Sequence, residues 1–581
     1  MPDYSALKKN ISKLIAEQMR RNQVTGLSIA LVDDQEVAWA EGFGYANRRR
    51  RVLVTADTVF RAGSITKLFT AAAIMQLVER GRIDLDTPVQ QYLPEFSVRT
   101  RFHQAVPITV RSLMTHHSGL PSDNFKDYLN EDSEAFHSAI DYLREHHAAF
   151  PPDYLFSYSN LNASLLGMIV ERVSGETFRN YLADHILKPL KMARTDLKLT
   201  GEIYRLLARP YHRGRFETEL PLRDLPAGGL YSNVVDLANF IKMVHRGARQ
   251  NPEGTRQVTG GCGEDGSSEF RQILRPETLE QMLTVQNPDN YLDFDMRVGL
   301  SWMIGRSSLD HAGKVCWHDG GTIHYNSMLV ILPEHLLGVV ILSNSDTGYP
   351  VVSRVADETL RMALEIKSAL KPGRSQMQIG ATAQFPDFKI SKFAGEFATL
   401  WGLVAVSKLT SGFRAQLMGK DFAMPRHLDG WFELRPFLLG MLPLAAPRTG
   451  GLRLLIDYVD NEKILALEQQ VGLNRLRAAV GRGYQRNLIP PVWSDRAGRY
   501  RAIDKNPILQ EFSLVFNKGL LYIDATVRKI GKLKLIIEPV SKSEGIIAGL
   551  GRFARETVYC REIEGEAMLE IYGLSFKRLG R

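Results

Sequence analysis

Cysteine is almost missing from this chain: three residues, Cys262, Cys316 and Cys560, are scattered over 581 positions. That scatter gives neither a disulfide framework nor the ligand spacing of a structural zinc site. It fits a reducing compartment or indifference to redox. Long apolar runs are missing too, and none approaches the ~20 residues needed to cross a bilayer. The opening Met1-Pro2-Asp3-Tyr4-Ser5 leads into a polar amphipathic helix, not into the apolar core of a signal peptide. The chain as written reads as soluble and cytoplasmic, although a processed secreted form would look the same. Charge of one sign is only in mild excess, at +9. Its one dense basic run, Arg48 to Arg51, lies between two strand-like stretches and reads as a solvated turn. Aromatics do not interleave with a basic face, which argues against nucleic-acid binding.

What is present is globular. With 44% hydrophobic and 24% charged residues, the chain has enough apolar content to bury cores and does not belong among disordered sequences. At this length two to four domains are expected. Residues 1–370 alternate helix and strand signals. Gly26 to Val32 and Glu36 to Tyr45 read as a hairpin. Helical patterns follow at 65–80, 109–115, 161–173, 177–187, 234–246 and 276–283. Strand signals return at Val315 to His318, Ser327 to Leu332 and Leu337 to Ser343, before a last helix from Val351 to Leu370. Strands at both ends with helices between predict one antiparallel sheet built from both termini, with helices covering it and forming a second lobe. Gly254 to Ser268 reads as a mobile surface insertion and 371–386 as a linker. Beyond it lie short alternating strands that look duplicated. Phe393-Ala394-Gly395-Glu396-Phe397 resembles Arg496-Ala497-Gly498-Arg499-Tyr500, with Pro490-Pro491 between the halves. Two small antiparallel barrels, 387–488 and 489–581, are the natural reading.

The chemistry centres on Ser64, in Phe60-Arg61-Ala62-Gly63-Ser64-Ile65-Thr66-Lys67. Three residues apart on a helix, Lys67 and Ser64 share a face, and a serine hydroxyl needs such a base or cation to become a nucleophile. A helix start also offers N–H groups and a positive dipole end to an oxyanion. Ser-x-x-Lys recurs at Ser5 with Lys8 and at Ser368 with Lys371. Ser5 reads as a helix N-cap, and Ser368 lies near a helix end, where the dipole disfavours an oxyanion. Only Ser64 follows a glycine turn and precedes a long apolar helix. A second proton-transfer group is required. Tyr158-Ser159-Asn160, just before a helix, is the candidate, and Tyr231-Ser232-Asn233, similarly placed, is its competitor. Tyr45 and Tyr128 begin further copies of the pattern. The third element is His318-Asp319-Gly320-Gly321, whose glycines permit close backbone approach at the end of a strand. His-x-Gly also starts at His117, His212, His245 and His311, without the preceding strand or the second glycine.

Ser-x-x-Lys, Tyr-x-Asn and His-x-Gly in this order resemble the class C β-lactamase-like serine hydrolases, a family of carboxylesterases, D-aminopeptidases, D-alanyl-D-alanine carboxypeptidases and class C β-lactamases. The resemblance spans about residues 5–370 and extends to Leu113-Met114-Thr115-His116-His117-Ser118-Gly119-Leu120, where the family usually has threonine at the position of His117, and to Pro226-Ala227-Gly228-Gly229-Leu230. Both stretches read as scaffold around the cleft. The resemblance implies an α/β fold, an α+β sandwich with a central antiparallel sheet and a helical lobe, of the β-lactamase and penicillin-binding-protein type. The barrels look like the lipocalin-like additions of D-aminopeptidases. It implies that Ser64 is acylated, that Lys67 and Tyr158 share the proton traffic, and that a cation could lower the proton affinity of Tyr158. It further implies that Asn160 orients Lys67 and substrate, that His318 and Gly320 line the cleft, and that the backbone N–H groups of Ser64 and Gly321 form the oxyanion hole. Neither a metal nor an organic cofactor is implied. The expected partners are small esters, amides or short peptides, with a homo-oligomer left open. Class C β-lactamases usually carry Lys-Thr-Gly where this chain has His318-Asp319-Gly320. The missing ammonium disfavours efficient β-lactam hydrolysis. An esterase or amidase is therefore the leading expectation and a D-aminopeptidase the next. A weak β-lactamase or a catalytically silent binding protein on the same scaffold is the third.

Overall fold

The computed structural model describes residues 2–102, 106–130, 132, 135–250, 271–371, 393–409, 412–417, 419–427, 429–438, 442–443, 452–459, 461–471, 473–503, 508–527, 531–563 and 566–579. The expected insertion at Gly254 to Ser268 and nearly all of the expected linker lie outside them, as does Cys262. Continuous β-branched and aliphatic stretches near the two ends of the first region pair as an antiparallel sheet. Its order runs Val52–Leu53, Glu36–Asn47, Gly26–Asp33, Leu337–Ser343, Asn326–Leu332, Cys316–Gly321, Met303–Ile304 and Arg297–Val298. Leu27 opposes Ser343 and Ser343 opposes Asn326, so the N-terminal strand joins directly onto the late ones.

The period-2 alternation of these strands sorts them into two cores. Leu27, Ile29, Leu31, Val330, Val339 and Ile341 face the terminal helices Ser5–Arg21 and Tyr349–Ser368. Ala30, Val32, Leu329, Ile331, Val340 and Leu342 face the helical lobe. In that lobe Thr66–Glu79 is apolar all round and buried along nearly its whole length, as a central helix must be. It packs against Asn160–Ser174 and the short turn Leu225–Gly228. Ser5 is not the cap expected of it: the first helix begins at that residue, and the carboxylate of Asp3 accepts its backbone N–H at 2.9 Å.

Two β-barrels follow. The second is closed by eight antiparallel strands from Gly498–Ala502 to Leu574–Arg578. The first is a ten-stranded, nearly closed sheet in which Gly395–Thr399 pairs with both Gly402–Leu409 and Asn474–Tyr484. The resemblance between the two halves falls on matching places. Gly395 and Gly498 each open the first strand, with φ of 151° and 157°. Both barrels touch the first region. Asn474 bonds Ser308 and Asp357 from the first barrel, and Phe125 inserts into the apolar core of the second.

Candidate active site

Gly63 makes the turn that presents Ser64. Its φ of +58° lies in the left-handed region, and a Cβ there would come within 2.9 Å of the Gly321 nitrogen. A Gly63–Ile65 turn of 3₁₀ helix then feeds the buried helix from Thr66. Ser64 is half-buried at the mouth of this turn, and Lys67 is 2% exposed. The Lys67 ammonium donates to Ser64 Oγ at 3.3 Å, to Asn160 Oδ1 at 2.8 Å and to the carbonyl of Ala227 at 2.8 Å. Burial is the dominant influence on this lysine, and the Arg552 cation reinforces it. The carboxylates of Asp123, Asp224 and Asp319 act in the opposite sense, and the balance brings Lys67 down from 10.5 to about 7.

Tyr158 arrives from the other side. Its ring lies 4.8 Å from the Lys67 nitrogen, and the Ser64 hydroxyl is close enough to its phenol to favour the phenolate. The expectation of a lowered phenol is overturned. Burial pushes Tyr158 above the ordinary tyrosine range, outweighing the Ser64 hydroxyl and the Arg552 cation. Tyr158 is therefore a protonated phenol at neutral pH. Asn160 starts the Asn160–Ser174 helix, which Ser159 caps by accepting the backbone N–H of Asn162 at 3.3 Å. With its oxygen on Lys67, the Asn160 amide donates its nitrogen to Asp123 Oδ1 at 2.6 Å, so the flip of this side chain is set by opposite partners.

The Cys316–Gly321 strand supplies the opposite wall. A Cβ on Gly320 would strike the Ala62 carbonyl at 2.0 Å and Ser327 Oγ at 2.1 Å. Only glycine lets this strand lie against the turn that carries Ser64. His318 is buried, with its Nδ1 2.6 Å from the Asp319 carbonyl and its ring 6.3 Å from that of Tyr158. Burial holds the imidazole below the ordinary histidine range, hence neutral, against the pull of Asp319.

All seven sequence-predicted residues thus meet in one cleft. Tyr231 does not serve there. Its phenol bonds Arg61 and, at 3.1 Å, Glu219, within a buried cluster paired with the Phe60–Arg61 strand.

Four participants lie in stretches read as scaffold or left unread. The Ala227 carbonyl is a direct partner of Lys67; the glycines after it hinted at a close approach but not at its object. His116 stacks on Tyr158 with ring centroids 4.4 Å apart. Its Nδ1 accepts the backbone N–H of Ser159 at 3.3 Å, and burial keeps it neutral. Asp123 carries no motif. Arg552 comes from the second barrel, more than 390 residues beyond Asn160, and no local pattern could have placed it.

Comparison with known proteins agrees with this architecture. Residues 11–361 match the Beta-lactamase family, and the chain belongs to it. Protein flp of Staphylococcus aureus (strain MW2) is 24% identical over 349 residues, covering 59% of this chain and 64% of that protein. The chain thus matches somewhat less than two thirds of that relative's length. Unguisins hydrolase ungD of Aspergillus violaceofuscus is 25% identical over 387 residues, covering 62% of this chain and 66% of its own. Among solved structures, the octameric penicillin-binding protein homologue from Pyrococcus abyssi superposes with a TM-score of 0.53 at 25% identity, over 81% of this chain and 99% of that one. SurE, solved with D-Leu, shares the fold at a TM-score of 0.55 and 23% identity, over 82% and 100%. Among the described residues no helix is long and apolar enough to cross a membrane.

Proposed function

We propose that this chain is a serine hydrolase that cleaves small carboxylic esters or amides through an acyl-enzyme on Ser64. The observation that carries the reading is a buried lysine in hydrogen-bond contact with a serine hydroxyl, its proton affinity brought to about neutrality. At pH 7.5 a large share of Lys67 is the free amine and can take the Ser64 proton as Oγ attacks the carbonyl carbon. The backbone N–H groups of Ser64 and Gly321 face the developing oxyanion. Tyr158, kept protonated, hands its proton to the leaving alkoxide or amine and recovers one from Lys67. Water then enters by the reverse traffic and releases the acid. Asn160 holds Lys67 in register, and His318, neutral, lines the cleft beside the phenol. The name of the Aspergillus relative, a hydrolase, is in keeping with this. The octameric state named for the Pyrococcus homologue makes an assembly of like subunits a reasonable companion proposal.

The ester or amide reading is preferred to a D-aminopeptidase because Arg552 puts a cationic side chain 5.0 Å from the Tyr158 ring, which disfavours a substrate's free ammonium beside it. Asp319, 38% exposed on the strand edge, is the observation that keeps the peptidase as a second reading, since it offers a carboxylate at the rim. Parallel assays with nitrophenyl esters and D-amino-acid anilides separate them. Ester turnover about 100-fold or more above anilide turnover eliminates the peptidase; the reverse preference eliminates the esterase.

A further inference from the structure

The strongest feature outside the motifs is a loop of the second barrel that enters the cleft. It joins the Glu544–Ile547 and Thr557–Ile563 strands. Its backbone is unusual: Phe553 and Arg555 have φ of 70° and 62°, and Gly549 and Gly551 are also in the positive region. Non-glycine residues in that conformation cost energy and persist where surrounding contacts over-determine them. Such contacts surround this loop. Phe553 donates its backbone N–H to Ser122 Oγ at 2.9 Å, Ser122 donates its own to Glu556 Oε1 at 2.8 Å, and Phe125 donates to the Tyr572 carbonyl at 2.8 Å. The loop so pinned places the Arg552 guanidinium 5.0 Å from the Tyr158 ring and, through Nη2, 2.6 Å from Asp123 Oδ2. The other oxygen of Asp123 holds the Asn160 amide, and the oxygen of that amide holds Lys67.

We infer that Arg552 is a positioning residue for the Ser64–Lys67 pair, acting through Asp123 and Asn160, so that the active site is complete only with the second barrel docked. This rests on the serine-hydrolase reading above and deepens it. A carboxylate 2.6 Å from a guanidinium is fixed in direction as well as place. Without that partner Asp123 is free to turn toward Lys67, loosening Asn160 and adding negative charge beside the ammonium. The charge of Arg552 acts on Lys67 in the same sense. Lys67 faces Tyr158 and Asn160 from the 157–160 run, Asp123 from the 121–125 loop, Asp224 and the Ala227 carbonyl from the 224–228 segment, His318 and Asp319 from the strand, His116 from behind the phenol, and Arg552 from the barrel. Arg552 is the cation of that set, and it opposes protonation of Lys67.

The test uses the full-length chain and a neutral alkyl fluorophosphonate, which reports how readily Ser64 reacts without assuming a natural substrate. Its phosphonylation rate is followed from pH 5 to 9. In Arg552→Gln the acid limb should move up by about one pH unit and the plateau fall by about tenfold. Arg552→Lys should recover most of the limb but not the plateau, since an ammonium lacks the fork that fixes Asp123. Asp123→Asn, which removes a carboxylate that favours protonated Lys67, should move the limb down while also lowering the plateau. A structural role alone would not produce shifts of opposite sign. Should Arg552→Gln lose its fold by thermal melting, the Asp123→Asn and Arg552→Lys profiles decide. Folded variants whose limb and plateau stay within twofold of wild type overturn the inference. Wild-type protein that never labels at Ser64 overturns the hydrolase reading itself, and the inference with it.

Discussion

Tyr158-Ser159-Asn160 and Tyr231-Ser232-Asn233 share a tripeptide and a position just before a helix. Each even caps its helix: Ser159 accepts the N–H of Asn162, and Asn233 that of Asp236. Their phenols nevertheless live in different electrostatic worlds. Tyr231 is held between Arg61 and Glu219, a charge pair already satisfied and closed. Tyr158 has Ser64 beside its hydroxyl, Lys67 and Arg552 near its face, and a neutral His116 stacked behind it. Burial raises both phenols, so acidity does not tell them apart. What differs is whether the neighbouring hydroxyl can become a nucleophile. Identical local code thus yields a structural tyrosine in one place and the proposed proton carrier in the other, and tertiary partners make the difference.

That contrast can be broken in order of expected effect. Ser64→Ala removes the group that only the first tyrosine touches. Ester turnover should fall by at least about 10³-fold, while the melting free energy should change by no more than about 1 kcal/mol because the residue is half-buried and replaced by a smaller one. Steady-state kinetics and thermal melting check both. Tyr158→Phe should lower kcat by about 10²- to 10⁴-fold, the scale of a lost acid–base group. Tyr231→Phe should invert the pattern, costing about 1–3 kcal/mol of stability by stripping a buried partner from Arg61 and Glu219 and leaving kcat within about threefold. A kcat loss at Tyr231 as large as that at Tyr158 would erase the distinction.

The smallest effect is the shape of the pH profile. Lys67 sits near 7 rather than 10.5, and the proposed base is its deprotonated form. Activity should therefore rise from acid through a midpoint near pH 7 and stay high as pH increases further. A midpoint above 9 in kcat/KM would show that burial and Arg552 do not govern this lysine.

How much of this was legible from residue order follows from the range of each contact. Ser64 and Lys67 are three apart, so helical geometry alone joined them, and the glycine at 63 marked the turn. The sheet was legible because runs such as Asn326–Leu332 and Leu337–Ser343 are apolar on both faces and, with the first hairpin, lie near the two ends of the first region. The duplicated barrels showed in the paired Ala-Gly and aromatic positions. The sign of the Tyr158 shift was not legible, because burial competes with the nearby cation and burial is a property of the packed whole. The Ala227 carbonyl was hidden because a backbone acceptor has no side-chain signature. Arg552 was hidden because its role exists only once a barrel docks, and one arginine in a Gly-Leu-Gly-Arg-Phe turn looks like any exposed loop tip.

The central claim is that Ser64 is the activated nucleophile of this cleft. Peptide mapping by mass spectrometry of the folded chain after brief fluorophosphonate treatment tests it most directly. The account predicts a single adduct on the peptide carrying Ser64, absent after thermal unfolding and absent in Ser64→Ala. An adduct on another serine, or none on folded protein under conditions that label an ordinary serine hydrolase, would contradict it.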